Sequence, residues 1–184
     1  GNVTVRHKHV RLLLLTSNGR LILQRRSKWK GNNPGLWDKT IGGHVSSDDS
    51  YDLTMLKECA EELGIPATIV KKVDFKQAVA KTDLHILGIL TKLTELDNYQ
   101  ATYTTKNKTW VEPQMTRFYV GYYDGAIRFV DNEACGLQTF TVEELEEEIK
   151  EHPDQYTEDM RYIIKKFKKI LKSAPKKIEH VLND

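Results

Sequence analysis

Three carboxylates, Glu58, Glu61 and Glu62, fall within the short stretch Lys57-Glu58-Cys59-Ala60-Glu61-Glu62-Leu63-Gly64-Ile65. On a helix turning about 100° per residue, Glu61 lies about 60° to one side of Glu58 and Glu62 about 40° to the other, so the three acids share an arc about 100° wide. Leu53, Leu56, Cys59, Ala60 and Leu63 fall on the opposite arc. Like charges on neighbouring turns repel, and a divalent cation reverses that sign, because hard Mg²⁺ takes oxygen ligands from carboxylates and substrate phosphates. An acidic helix face is more often plain solvated surface, and the denser run Glu143 to Glu148 is read that way because no phosphate-binding loop precedes it. Ahead of the first trio stands a loop rich in Gly, Asn, Pro and Trp, Lys28 to Gly43, ending in Gly42-Gly43.

The elements that must position these groups are read from patterning. A chain of 184 residues, 39% hydrophobic and 29% charged, is one domain's worth and buries a core without staples. Val3 to Val10 is expected as an edge strand, and Arg11 to Leu15 as a buried strand. A turn at Ser17-Asn18-Gly19 joins it to a strand over Arg20 to Arg25. A helix over Ser50 to Leu63 is capped by Ser and Asp and stopped by Gly64 and Pro66. Strands are expected at Ala67 to Phe75, Arg117 to Tyr123 and Gly136 to Phe140. Ile86, Ile89, Leu90 and Leu93 favour a helix within Asp83 to Leu96, with strand as the competitor. Asn98 to Pro113 reads as an insertion in hairpin form. The chain ends in helices over Val142 to Lys150 and Glu158 to Lys172, and the eight basic residues from Arg161 to Lys177 give an amphipathic helix with a cationic outer face. A mixed sheet covered by helices on both faces follows.

Charge and composition exclude several classes. A net charge of +2 is too small a field to grip nucleic acid by itself. The longest apolar run, Val10 to Leu15, is too short to span a bilayer, and no secretory leader is read. Gly1 without a Met points to a start that lies elsewhere. Cys59 and Cys135 form no CxxC pair, which fits a reducing, cytoplasmic setting.

From Gly43 to Ile65 the chain resembles the Nudix box, G-x5-E-x7-R-E-U-x-E-E-x-G-U, with U a bulky apolar residue. Gly43, Glu58, Glu61, Glu62, Gly64 and Ile65 match; Asp49 stands for Glu, Lys57 for Arg, and Cys59 fills an apolar slot. Leu21 to Ser27, Pro34-Gly35-Leu36-Trp37-Asp38, Gly42-Gly43-His44-Val45 and Asn132 to Leu137 resemble the Nudix branch that includes isopentenyl diphosphate isomerase. The resemblance implies a single Nudix domain over residues 1–184: an α/β/α sandwich with a mixed sheet, the box at 43–65, an insertion at 98–113 and C-terminal helices at 142–172.

It also implies a magnesium- or manganese-dependent hydrolase that cleaves the pyrophosphate linkage of a nucleoside diphosphate derivative or a related small molecule. Glu58, Glu61 and Glu62 would be metal carboxylates, with Glu58 orienting or deprotonating the attacking water and the Gly43 carbonyl adding a ligand. Lys57 would take the Arg's role of orienting a carboxylate, and Asp49 would reach the helix cap instead of the metal network. Arg25, Arg26, His44 and Glu133 are the candidate substrate contacts. Arg25 and Arg26 lie on opposite faces of a strand, so one reaches phosphate and the other meets solvent. For His44 the plainer alternative is packing, and for Glu133 a loop acid. Trp29 and Trp37 are candidates for base stacking, with packing as the simpler role.

Two other readings stay open. The changes at Asp49 and Lys57 allow a ligand-binding module of the same fold without catalysis. The isomerase reading is weaker, because the position of its catalytic Cys is Gly42 and Cys59 faces the helix's apolar side. No primary nucleic-acid partner and no membrane contact are expected; a homodimer follows only from the family's habit. The substrate is not specified: Ala80, for example, stands where enzymes of ADP-ribose carry Pro.

Overall fold

The computed structural model describes residues 6–173. Its centre is β1 (His7–Leu15), with Leu12, Leu13, Leu14 and Leu15 all fully buried. A strand covered on both faces loses the polar-apolar alternation, which is why this run reads as unbroken leucine. β1 pairs in parallel with β7 (Thr109–Tyr122) and antiparallel with β4 (Ile41–His44), and touches β2 (Leu21–Arg26) at Leu15↔Leu21. β2 carries β3 (Trp37–Asp38) and β8 (Ala134–Phe140), and β6 (Gly88–Thr104) joins β7 antiparallel and β5 (Ala67–Ile69) in parallel. The result is a mixed eight-stranded sheet with a path β3-β2-β1-β7-β6-β5.

Helices lie on both faces, as expected. Val10, Leu12 and Leu14 face α1 (Tyr51–Leu63) through Met55, Cys59 and Leu63. Leu13 and Leu15 face α2 (Phe75–Lys81), α3 (Val142–Glu151) and α4 (Glu158–Ser173) through Phe75, Leu145, Met160, Ile163 and Phe167. Ser50 caps α1 by accepting from Leu53 N, and Gly64 ends it at φ 62°, a left-handed conformation that glycine adopts without strain. No described helix is long and apolar enough to cross a membrane.

Several local expectations change. The separate strands at Val3 to Val10 and Arg11 to Leu15 are one interior strand from His7; residues 3–5 lie outside the described residues, as do 174–177 of the basic stretch. The Gly/Pro-rich loop contains β3 and β4. The strand at Ala67 stops at Ile69, and Phe75, placed at its far end, instead begins α2 and packs on Tyr122. The helix expected over Asp83 to Leu96 is β6: Ile86 is 68% exposed, while Ile89 and Leu90 are buried on a strand covered on both sides. Register shifts at Lys92/Thr94 and Leu96/Tyr99 further erase its period of two. Asn98 to Pro113 is a hairpin, the outer part of β6 and β7, turning where Thr105 N donates to Lys108 O. The acidic run of α3 is not simply solvated. Thr141 and Glu144 form a capping box, and Glu143 and Glu146 pair with Lys172 and Lys168 of α4.

Candidate functional site

α1 meets the sheet through a different face from that expected. Thr54, Met55, Cys59, Glu62 and Leu63 are buried, while Leu53 is 45% exposed. The helix is rolled so that its acidic edge tucks under β4 and the outer leucine turns away. Glu62 is only 4% exposed, Glu58 is half-buried and Glu61 faces outward. Glu58 lies directly against Gly43: a Cβ there would stand 2.2 Å from Glu58 Oε1. Only glycine leaves that space open.

Burial pushes the Glu58 carboxyl up to about 7, helped by the nearby Glu61, while its hydrogen bond with Glu62 opposes the rise. Burial and the Glu58 charge push Glu62 up to about 9, against a hydrogen bond from Gln24 Nε2 to Glu62 Oε2 at 3.1 Å. Glu133 and Asp131 raise both further. Burial and mutual repulsion thus disfavour charge on both members of the pair at once. Among the described residues no three His, Cys, Asp or Glu groups are spaced to enclose a metal ion as they stand. The donor set nevertheless suits a hard divalent cation: two close carboxylates, and a glycine whose missing side chain lets one of them lie against the backbone.

Glu62 and Gly43 line the edge of a polar pocket of about 320 Å³. Its floor is a buried network of two cations and two carboxylates. Arg11 Nε lies 2.5 Å from Asp159 Oδ2, and Lys39 Nζ bridges Asp159 Oδ2 at 2.9 Å and both Asp38 oxygens at 3.1 Å. Burial opposes ionisation of Asp159, yet Arg11 and Lys39 hold its carboxyl well below the usual range. Tyr99 donates to the second Asp159 oxygen, and Thr157 Oγ1 donates to Asp38 Oδ1 at 2.9 Å. Arg11, Lys39, Asp38 and Asp159 were not among the expected site residues. Arg11 was detectable, since a charge inside a buried leucine run must have a partner.

The expected site residues divide. Glu62, Gly43, Arg26, His44 and Glu133 line the pocket, with Glu58 just behind Gly43. Arg26 is held by Asn32 O at 2.9 and 3.1 Å and Asp38 Oδ2 at 3.4 Å, and Glu133 by Lys30 Nζ at 2.6 Å. His44 is exposed at the pocket's border, its Nε2 3.3 Å from His7 Nδ1 and its ring edge-on to His9. Arg25 points elsewhere, donating to Gly35 O and lying over the Trp37 ring. Lys57 is exposed and pairs with Asp49 Oδ2 at 2.9 Å; it contacts none of the three glutamates, and Asp49 takes this pairing instead of the cap, which Ser50 supplies. Trp29 is 95% exposed and outside the pocket.

At the position of the isomerase cysteine, a Cβ on Gly42 would lie 2.7 Å from Lys39 Cε, so a side chain there would displace the Lys39 amine from its two carboxylates. Cys59 is fully buried, and burial pushes its thiol up to about 12. Neither position offers a reactive thiol.

The family model of the NUDIX domain matches residues 5–167. An isopentenyl-diphosphate Delta-isomerase of Serratia proteamaculans is 24% identical over 152 residues, 82% of this chain and 70% of its own length. An uncharacterized Nudix hydrolase of Pseudomonas aeruginosa is 38% identical over 61 residues, which is 33% of this chain and 36% of that protein. The crystal structure of a Deinococcus radiodurans protein superposes with a TM-score of 0.63 at 20% identity, covering 89% of this chain and 86% of that one.

Proposed function

The chain belongs to the NUDIX domain family, and on that premise we propose that it hydrolyses the pyrophosphate linkage of a nucleoside diphosphate derivative or a related small diphosphate, using Mg²⁺ or Mn²⁺. The observation that carries this reading is the packing of Glu58 directly against Gly43 with the buried Glu62 beside it, at the edge of a polar pocket that Arg26 and Lys30 also line. Glu58 and Glu62 would hold the ion, with Glu61 and the Gly43 carbonyl as further donors. When bound, the ion neutralises phosphate charge and lowers the pKa of water.

The chain's own groups do the rest. Arg26 and Lys30 line the pocket and meet phosphate oxygens. Glu58, as carboxylate, takes the proton from the water that attacks phosphorus; the P–O–P bond breaks and the leaving phosphate carries away the bridging oxygen. Glu133, tied to Lys30, borders the same edge and keeps that lysine in place. Lys57 acts at one remove, fixing the box loop to α1 through Asp49.

Separation and quantification of the phosphomonoester products from a panel of nucleotide sugars, dinucleotides and nucleoside di- and triphosphates, with Mg²⁺ or Mn²⁺, tests the reading. Turnover that Glu62→Gln lowers by at least about 100-fold is expected. Turnover unchanged in that variant removes the metal role. Tight binding without turnover across the panel marks a ligand-binding module instead.

A further inference from the structure

The hairpin at 98–113 walls the pocket with Ala101, Thr102 and Tyr103. It is bolted to the opposite loop: Asn33 N donates to Thr104 O at 2.7 Å, and Thr104 N donates to Asn33 Oδ1 at 3.0 Å. Asn33 adopts φ 47° to make this clamp, a left-handed conformation that asparagine tolerates better than most residues. The Tyr103 ring is backed by Trp110, centroid to centroid 5.6 Å.

Hydrogen-bond polarity at this wall is settled from the floor. Arg11 has only donors, and its Nη2 lies 3.0 Å from Gln114 Oε1, so the amide oxygen of that fully buried glutamine faces the arginine. Its nitrogen therefore faces the other way, donating to Tyr103 Oη at 2.8 Å and to Glu112 Oε1 at 3.1 Å. Tyr103 is an acceptor in this chain, and its own proton remains to be donated. Among the described residues no atom accepts it. A phenol that lines the pocket and holds an unspent donor, on a wall fixed at two points, is preorganised for an oxygen on a ligand.

We propose that Tyr103 is a specificity-determining hydrogen-bond donor to a hydroxyl or ether oxygen on the organic group of the substrate, which makes the preferred class small, polyol-like or sugar-like diphosphates. This rests on the reading that the pocket takes a diphosphate. Beside Tyr103 the lining is neutral and polar, with Thr102, Asn32 and Asn33, so a plain alkyl group finds little apolar surface there. The pocket volume is at the small end of the about 300–1,000 Å³ usual for ligand sites. A site that donates to a ligand oxygen discriminates against analogues that lack it, because the half-buried Tyr103 hydroxyl then keeps only the bond it accepts from Gln114.

The test is calorimetric binding, in Mg²⁺, of three non-hydrolysable probes: methylenediphosphonate, its monoglyceryl ester and its monopropyl ester. The wild-type chain is expected to favour the glyceryl over the propyl ester by about tenfold, and Tyr103→Phe, which keeps the ring on Trp110, is expected to erase that ratio. No glyceryl preference in the wild type overturns the assignment. So does an equal loss for all three probes, since Tyr103 would then be serving the phosphates. The corresponding hydrolysable glyceryl diphosphate separates the two readings. Discrimination in binding without cleavage of this ester or of any substrate in the panel refutes the hydrolase and leaves Tyr103 assigned, cleavage without discrimination does the reverse, and binding of no probe overturns the Tyr103 assignment while the panel still decides the hydrolase.

Discussion

Glu58 occupies the space where any side chain on residue 43 would begin, its Oε1 2.2 Å from an ideal Cβ on Gly43. The clash is with the far end of a side chain rather than with backbone, so the fold can yield by swinging Glu58 away. Gly43→Ala is therefore expected to melt within a few degrees of the wild type while losing about 100-fold in turnover, the usual penalty for misplacing a reacting group by about 1 Å. Thermal melts beside initial rates decide it; a large loss of stability with normal specific activity would show that Gly43 serves the strand and not Glu58.

The two raised carboxyls make stability depend on pH in a defined direction. A carboxyl whose pKa is higher folded than unfolded favours the fold while protonated. Its contribution is complete below 4.5 and is lost as pH rises, through about 7 for Glu58 and about 9 for Glu62. Chelator-treated protein is expected to melt at progressively lower temperature across that window. Glu62→Gln, which keeps the shape and removes the charge, is expected to flatten the decline, and saturating Mg²⁺ to reverse it, since a ligand bound only by the native state stabilises it. Melting curves from pH 5 to 9 measure all three.

The parts of the fold that were legible in sequence are those whose cause is local. α1 announced itself through Ser50 and Gly64, and β1 through leucines needed on both faces. β6 did not, because being covered on both sides and twice shifted in register removes the period that marks a strand. At the site the three glutamates could be read, but not the roll of their helix. That goes with contacts outside the helix: Tyr119, from a distant strand, donating to Asp52 at 2.5 Å, and Glu58 filling the space above Gly43. The pocket floor was hidden for the same reason, since Arg11, Lys39 and Asp159 come from three distant segments, and only the lone charge at Arg11 hinted at it. Tyr103 carried no local signal at all; its role emerges from an amide orientation fixed by Arg11.

Asp49 and Lys57 depart together from the box and still find each other, 2.9 Å apart across the start of α1. Lys57 is 49% exposed and Asp49 21%, so solvent screens the pair and its net worth is below about 1 kcal/mol. Lys57→Ala is expected to cost no more than that in denaturant unfolding and to lower turnover less than tenfold, because neither partner touches the pocket. Lys57→Arg should restore what is lost. A hundredfold fall with Lys57→Ala would instead place the amine in contact with the chemistry.

Asp159 is the group on which the pocket floor depends. It stands in the first turn of α4, where the helix dipole favours an acid, and it is the shared counter-ion of Arg11 and Lys39 and the acceptor for Tyr99. Removing it leaves two buried cations with one carboxylate, Asp38, between them, and breaking a buried pair in this way costs about 3–5 kcal/mol. Asp159→Ala is expected to lose that much in urea unfolding. Arg11→Met, which removes a charge along with its desolvation, should cost less, and the double variant less than the sum of the two, because each single change leaves the other's charge unbalanced. Additive losses would mean that Arg11 and Asp159 are not coupled, and that the orientation of Gln114 and Tyr103 above them is set by something other than this ion pair.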